Sequence, residues 1–74
     1  MHTQTFTSHR FRLSADWQCQ IDDFVEIRNS RNVVRGGVVE AVMPDGSGLW
    51  LEANGTDHRA YFHKETGLEL WVQQ

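Results

Sequence analysis

Cys19 is the chain's one cysteine, so no internal disulfide can staple these 74 residues together. A lone thiol fits a reducing, cytoplasmic setting. Long hydrophobic runs are also missing. The longest apolar stretches, such as Val38-Val39 and Ala41-Val42-Met43, are far too short to span a bilayer, and no membrane partner is expected. The start, Met-His-Thr-Gln-Thr, has no apolar run after a basic opening, so no signal peptide is expected. Nor is there a basic excess: the net charge is -3 with histidines neutral. A protein that lives on the phosphate backbone usually carries one. The charge that exists is uneven. His9, Arg10 and Arg12 form one basic group, and Arg28, Arg31 and Arg35 are the only charged residues between Glu26 and Glu40. Asp16, Asp22, Asp23 and Glu26 lie between those groups, which is the pattern of a solvated surface of mixed sign.

The spacings that carry chemistry are absent too. No Cys-x-x-Cys or His-x-x-x-His pattern occurs, and His58 and His63 differ by an odd number, which points them to opposite faces of a strand. Asp22 and Asp23 are adjacent and diverge in the same way. Cys19 sits between Gln18 and Gln20 without an elbow motif and reads as a small packing residue. His63 has no nameable partner acid or oxyanion donors. Gly46 and Gly48 fit a turn, whereas a phosphate loop needs more glycines and a following helix. We therefore assign no catalytic residue, no metal ligand and no cofactor, and expect a protein that is not an enzyme. A barrel enzyme whose site forms only in an oligomer stays open as a third class.

What the chain does have is a set of short strands cut by turn signals. Three tryptophans, one tyrosine and four phenylalanines supply one hydrophobic core. A chain this short buries only about 60% of its unfolded surface, so that core is thin. Turns are marked by Asn29-Ser30-Arg31-Asn32, Pro44-Asp45-Gly46-Ser47-Gly48, Asn54-Gly55 and Glu65-Thr66-Gly67. Asn54-Gly55 is expected to make a type I′ hairpin turn. Strands are expected from Phe24 to Arg28, Val33 to Met43, Leu49 to Ala53, Arg59 to Lys64 and Leu68 to Val72. Gly36-Gly37 is expected to bend or bulge the long one. Before them, Thr5 to Leu13 reads as a strand with Phe11 and Leu13 facing one way, and Ser14 to Trp17 as a short helical turn.

Five short strands with one long bent member form a meander that must close to bury both ends. Ile21-Asp22-Asp23-Phe24-Val25-Glu26-Ile27, Gly37-Val38-Val39-Glu40-Ala41-Val42, Asp45-Gly46 and Leu49-Trp50-Leu51 resemble the small SH3-like barrels of the KOW and Tudor type, over about residues 21–72. Asp22 stands where that family usually has the glycine of its first turn. Kinship with small bacterial proteins is suspected. The resemblance implies an all-β, five-stranded SH3-like barrel over 21–74, with an extra N-terminal strand or turn segment, 1–20, packed on it as an arm. It implies a fold rather than a function. A cyclic-dinucleotide reader of the PilZ type is discounted. Asp45-Gly46-Ser47-Gly48 begins its motif suitably, but Trp50 stands where that motif requires glycine.

Period-two alternation sorts the side chains. Val25, Ile27, Val39, Val42, Leu49, Leu51, Ala53, Ala60, Phe62, Leu68, Leu70 and Val72 are expected inside. Trp50, Arg59, Tyr61, His63 and Trp71 are expected outside, together if their strands are neighbours. Trp, Tyr and Arg dominate binding hot spots, so these five are the candidate partner-binding residues of a non-catalytic module that binds another protein or itself. The competing reading is packing: Trp50 and Trp71 as a cross-strand pair, or Trp17 or Phe6 folded over the face. The alternative function is a nucleic-acid-binding accessory protein, with Arg28, Arg31 and Arg35 on phosphates and the aromatics stacking bases.

Overall fold

The computed structural model describes residues 10–30 and 32–74. Its strands are β1 (Phe11–Ser14), β2 (Phe24–Asn29), β3 (Asn32–Val42), β4 (Gly48–Leu51), β5 (Ala60–His63) and β6 (Glu69–Gln73), with a 3-10 turn at Lys64–Thr66. They form one antiparallel sheet in the order β1-β6-β2-β3-β4-β5. The protein is all-β, as the alternation requires. The sheet has six strands, and the hydrogen-bonded order ends at β1 and β5 without joining them, so it is not closed into a barrel. The early segment supplies the sixth strand: β1 pairs with β6, with Phe11 opposite Gln73 and Ser14 opposite Leu70.

The turn chemistry explains the strand boundaries. Gly46 takes φ 76° in the β3–β4 turn, which Asp45 braces by accepting the Ser47 N–H at 2.9 Å. Hydrogen bonding from the Ser47 side chain, and then from its backbone N–H, holds the Asp45 carboxyl below its ordinary pKa. The Asn54-Gly55 signal does give a turn, but Asn54 pairs with Asp57 and the central residues are Gly55 and Thr56. Gly55 alone has positive φ, whereas type I′ needs it at both central positions. Asp22 enters β2 with φ 78°, a left-handed conformation that a short polar side chain tolerates better than most.

β3 is shared between two pairings. Its first part runs along β2, and Val39 to Val42 pair with β4. The expected bulge at Gly36-Gly37 is not there; those residues pair regularly with Glu26 and Val25. The register instead slips on either side of them. Arg28 faces Val33 and Ile27 faces Arg35, which leaves Val34 as the extra residue. Val39 faces Leu51 and Ala41 faces Trp50, which leaves Glu40 as the second. Two bulges twist the strand, and the glycines let neighbours lie close. A Cβ on Gly37 would touch Leu51 at 3.5 Å.

The core lies on one face of this twisted sheet. Val25, Ile27, Val39, Leu49, Leu51, Leu70 and Val72 are buried there, with Val42, Phe62 and Leu68 packed against them. All of these are positions that alternation assigns inward. Ala53 lies beyond the end of β4 and is exposed. Trp17 joins the core, 4% exposed, and Cys19 packs beside it. Trp17 reaches it from a tight turn in which its N–H donates to the Ser14 carbonyl and its own φ is 55°. Buried Ser14 fixes that turn by accepting the Gln18 N–H on its hydroxyl at 2.8 Å.

Candidate interaction surfaces

Two aromatic clusters occupy the side of the sheet away from the core. The first is built on β4 and β5. Trp50 lies directly opposite Tyr61, with ring centroids 5.1 Å apart and planes tilted by 50°. The Arg59 guanidinium lies 3.8 Å from the Trp50 ring centre, and its Nε donates to Glu40 at 2.7 Å. Glu40 is the bulge residue of β3, so the bulge aims the carboxylate that holds Arg59. His63 stands 6.3 Å from Tyr61, and its Nδ1 accepts the Glu65 N–H that starts the 3-10 turn. Tyr61 packs across Gly48.

The second cluster is built on β1, β6 and β2. Trp71 faces Leu13 on one side and Glu26 on the other. The Arg28 guanidinium lies 4.3 Å from the Trp71 ring centre and 5.4 Å from that of Phe11. It also donates through Nε and Nη2 to Glu26, at 2.9 and 2.7 Å. The Trp71 indole N–H donates to Glu69 at 3.1 Å, and Phe11 packs against Phe24 at 6.2 Å. Its charged groups are paired with one another, and apolar side chains stand exposed around them. Leu13 is 46%, Phe24 37% and Val33 51% exposed.

The five proposed partner-binding residues are thus divided. Trp50, Arg59, Tyr61 and His63 come together, and Trp71 lies apart, because β2 and β3 separate β6 from β4. Chain order suggested β5 and β6 as neighbours, whereas β6 crosses back to pair with β2. For the same reason Trp50 and Trp71 are not a cross-strand pair. Trp17 goes to the core rather than over the aromatics, and Phe6 lies outside the described residues. Sequence reasoning did not gather Phe11, Leu13, Phe24 and Arg28 around Trp71. The alternation of Phe11 and Leu13 held the clue, but only the β1–β6 register shows which side they share.

Of the three arginines of the nucleic-acid reading, Arg31 lies outside the described residues. Arg28 is paired as above. Arg35 sits on the opposite side of the sheet, in register with buried Ile27. It donates to the His58 and Glu52 carbonyls, both at 2.9 Å, and so ties β3 to the loop after β4.

A cleft of about 570 Å³ runs between residues 16–20 and the β3–β4 turn, lined by Trp17, Cys19, Met43, Pro44 and Lys64 among others. Burial, aided by the nearby Asp23 charge, pushes the Cys19 thiol up to about 11, so it is not a thiolate at neutral pH. Among the described residues no three His, Cys, Asp or Glu side chains gather as metal ligands, and no helix is long and apolar enough to cross a membrane.

No protein-family model matches the chain, and neither the curated proteins nor the solved structures give a match. The functional reading rests on the geometry.

Proposed function

We propose that this domain is a non-catalytic protein-interaction module that meets its partner, another chain or a second copy, through the outer face of β1, β6 and β2. One observation carries the reading. Leu13, Phe24 and Val33 are exposed on the side of the sheet away from the core, set around Trp71, Phe11 and the Arg28–Glu26 pair. Such a patch on so small a domain is unfavourable in water unless something covers it. Trp71 and Arg28, braced by Glu69 and Glu26, are the rigid anchor types that dominate interfaces. A nucleic-acid role is less well supported, since Arg28 and Arg35 spend their donors inside the protein.

The SH3-like relationship belongs to the same proposal. It is supported by β2 to β6, in which the last of five strands lies beside the first, and by the long β3, which pairs with β2 and then with β4. Left-handed Asp22, where the family places glycine, also supports it.

Leu13→Glu with Phe24→Glu tests the surface, because both side chains are exposed and lie outside the buried core. We expect the parent chain to self-associate in sedimentation over a concentration series, or to retain a defined partner from cells of its source. The double variant should do neither, with unchanged circular dichroism. Equal behaviour of parent and variant in both assays would sink the proposal.

A further inference from the structure

A different edge of the molecule carries a separate inference. β5 is the last strand of the sheet and pairs only with β4 among the described residues. The Lys64 N–H donates to the Ser47 carbonyl at 2.7 Å. In an antiparallel ladder the backbone groups alternate in direction. Phe62 and Ala60 therefore turn theirs toward β4, and Tyr61 and His63 turn theirs to the open side. The His63 carbonyl is taken by the Thr66 hydroxyl at 2.9 Å. Among the described residues that leaves the Tyr61 N–H and C=O and the His63 N–H, a short template for one more strand.

The charge along this edge selects the guest. From His58 to Lys64 every ionisable group other than the Tyr61 phenol is basic: His58, Arg59, His63 and Lys64. Arg59 is already positioned. Its guanidinium lies on Trp50 and its Nε is bound to Glu40, which leaves both Nη atoms without a partner among the described residues. A guanidinium held flat in this way is a ready fork for a carboxylate. A second copy fits poorly. The outward groups still open pair Tyr61 with the twin's Tyr61, because the His63 carbonyl is taken, and that register sets Arg59 opposite the twin's His63, basic against basic.

The geometry points to β5 as the docking edge for an extended, acidic segment of a partner protein. The segment adds as a strand beyond β5, bonds to Tyr61 and His63 and sets a carboxylate on Arg59. This edge is independent of the Trp71 face, and either assignment can fail alone.

The test is an amide NMR titration of the full chain with three probes: a capped (Val-Glu)4 peptide, a capped (Val-Lys)4 peptide, and a twelve-residue oligo-dT. We expect (Val-Glu)4 to shift amides of residues 59–64 and to slow hydrogen exchange at Tyr61 and His63. Added salt should weaken this binding. Arg59→Glu with Lys64→Glu should weaken it at least tenfold with unchanged circular dichroism, and exposed Lys64→Glu alone should weaken it measurably. Three results overturn the assignment: no shifts with (Val-Glu)4, equal binding of (Val-Lys)4, or shifts centred on β1 and β6. Binding of the oligonucleotide with the acidic peptide inert would also overturn it, in favour of a nucleic-acid edge.

Discussion

Gly48 begins β4 opposite His63, and a Cβ there would stand 2.6 Å from the Phe62 carbonyl oxygen and 2.7 Å from the Tyr61 ring. The ring can rotate away only at the cost of its packing on Trp50; the carbonyl is backbone and cannot leave without breaking the ladder. Gly48→Ala should therefore destabilise by about 1–3 kcal/mol in urea unfolding, as overpacking does. Adding Tyr61→Ala should not restore stability, because the carbonyl clash remains. Cys19 makes a second residue-scale prediction. Its folded pKa, about 11, exceeds the ordinary 9.0. The folded state therefore holds the proton more tightly than the unfolded state does. That contribution is fully present below pH 9 and is lost as pH rises from 9 to about 11. Compared with Cys19→Ala, the parent should lose more stability across that window. Parallel pH profiles for the two proteins would contradict the assignment.

Among the elements, the strands were legible because period two and turn chemistry agree. Val25/Ile27, Leu49/Leu51 and Leu70/Val72 are buried as alternation demands. The bulges were not legible. Nothing local marks Val34 or Glu40, and their positions follow from how β3 must serve β2 and β4 in turn. Trp17 was equally hidden, since an isolated tryptophan in a turn has no periodicity to declare its side. Arg35 shows why charge alone misleads. In sequence it is one of a basic trio, and in the fold it is a clamp on two loop carbonyls. Arg35→Lys keeps the charge and loses the fork. It should cost about 1–2 kcal/mol, and amide exchange should quicken in residues 53–58. An unchanged exchange rate there would mean that the loop does not depend on the clamp.

At the scale of the whole molecule, the all-β class was readable and the division of the outer face was not. Strand neighbours are set by which pairings cover the core, and β6 returns to β2 across most of the chain. The same long-range closure separates the roles of the first twenty residues. β1 lends backbone bonds and two half-open side chains to the edge of β6, whereas Trp17 is part of the core. A chain beginning at Ser14 keeps the Ser14 hydroxyl and the turn that seats Trp17, and loses most of β1. It should still unfold cooperatively, with a lower urea midpoint. A chain beginning at Ile21 loses the indole as well, a change that costs about 3–5 kcal/mol in a typical core. A domain this small has only about 5 kcal/mol or little more to lose, so the shorter chain should be largely unfolded by circular dichroism at 25 °C. If instead both truncations fold equally well, Trp17 is not the element that completes the core, and the sheet from β2 to β6 stands alone.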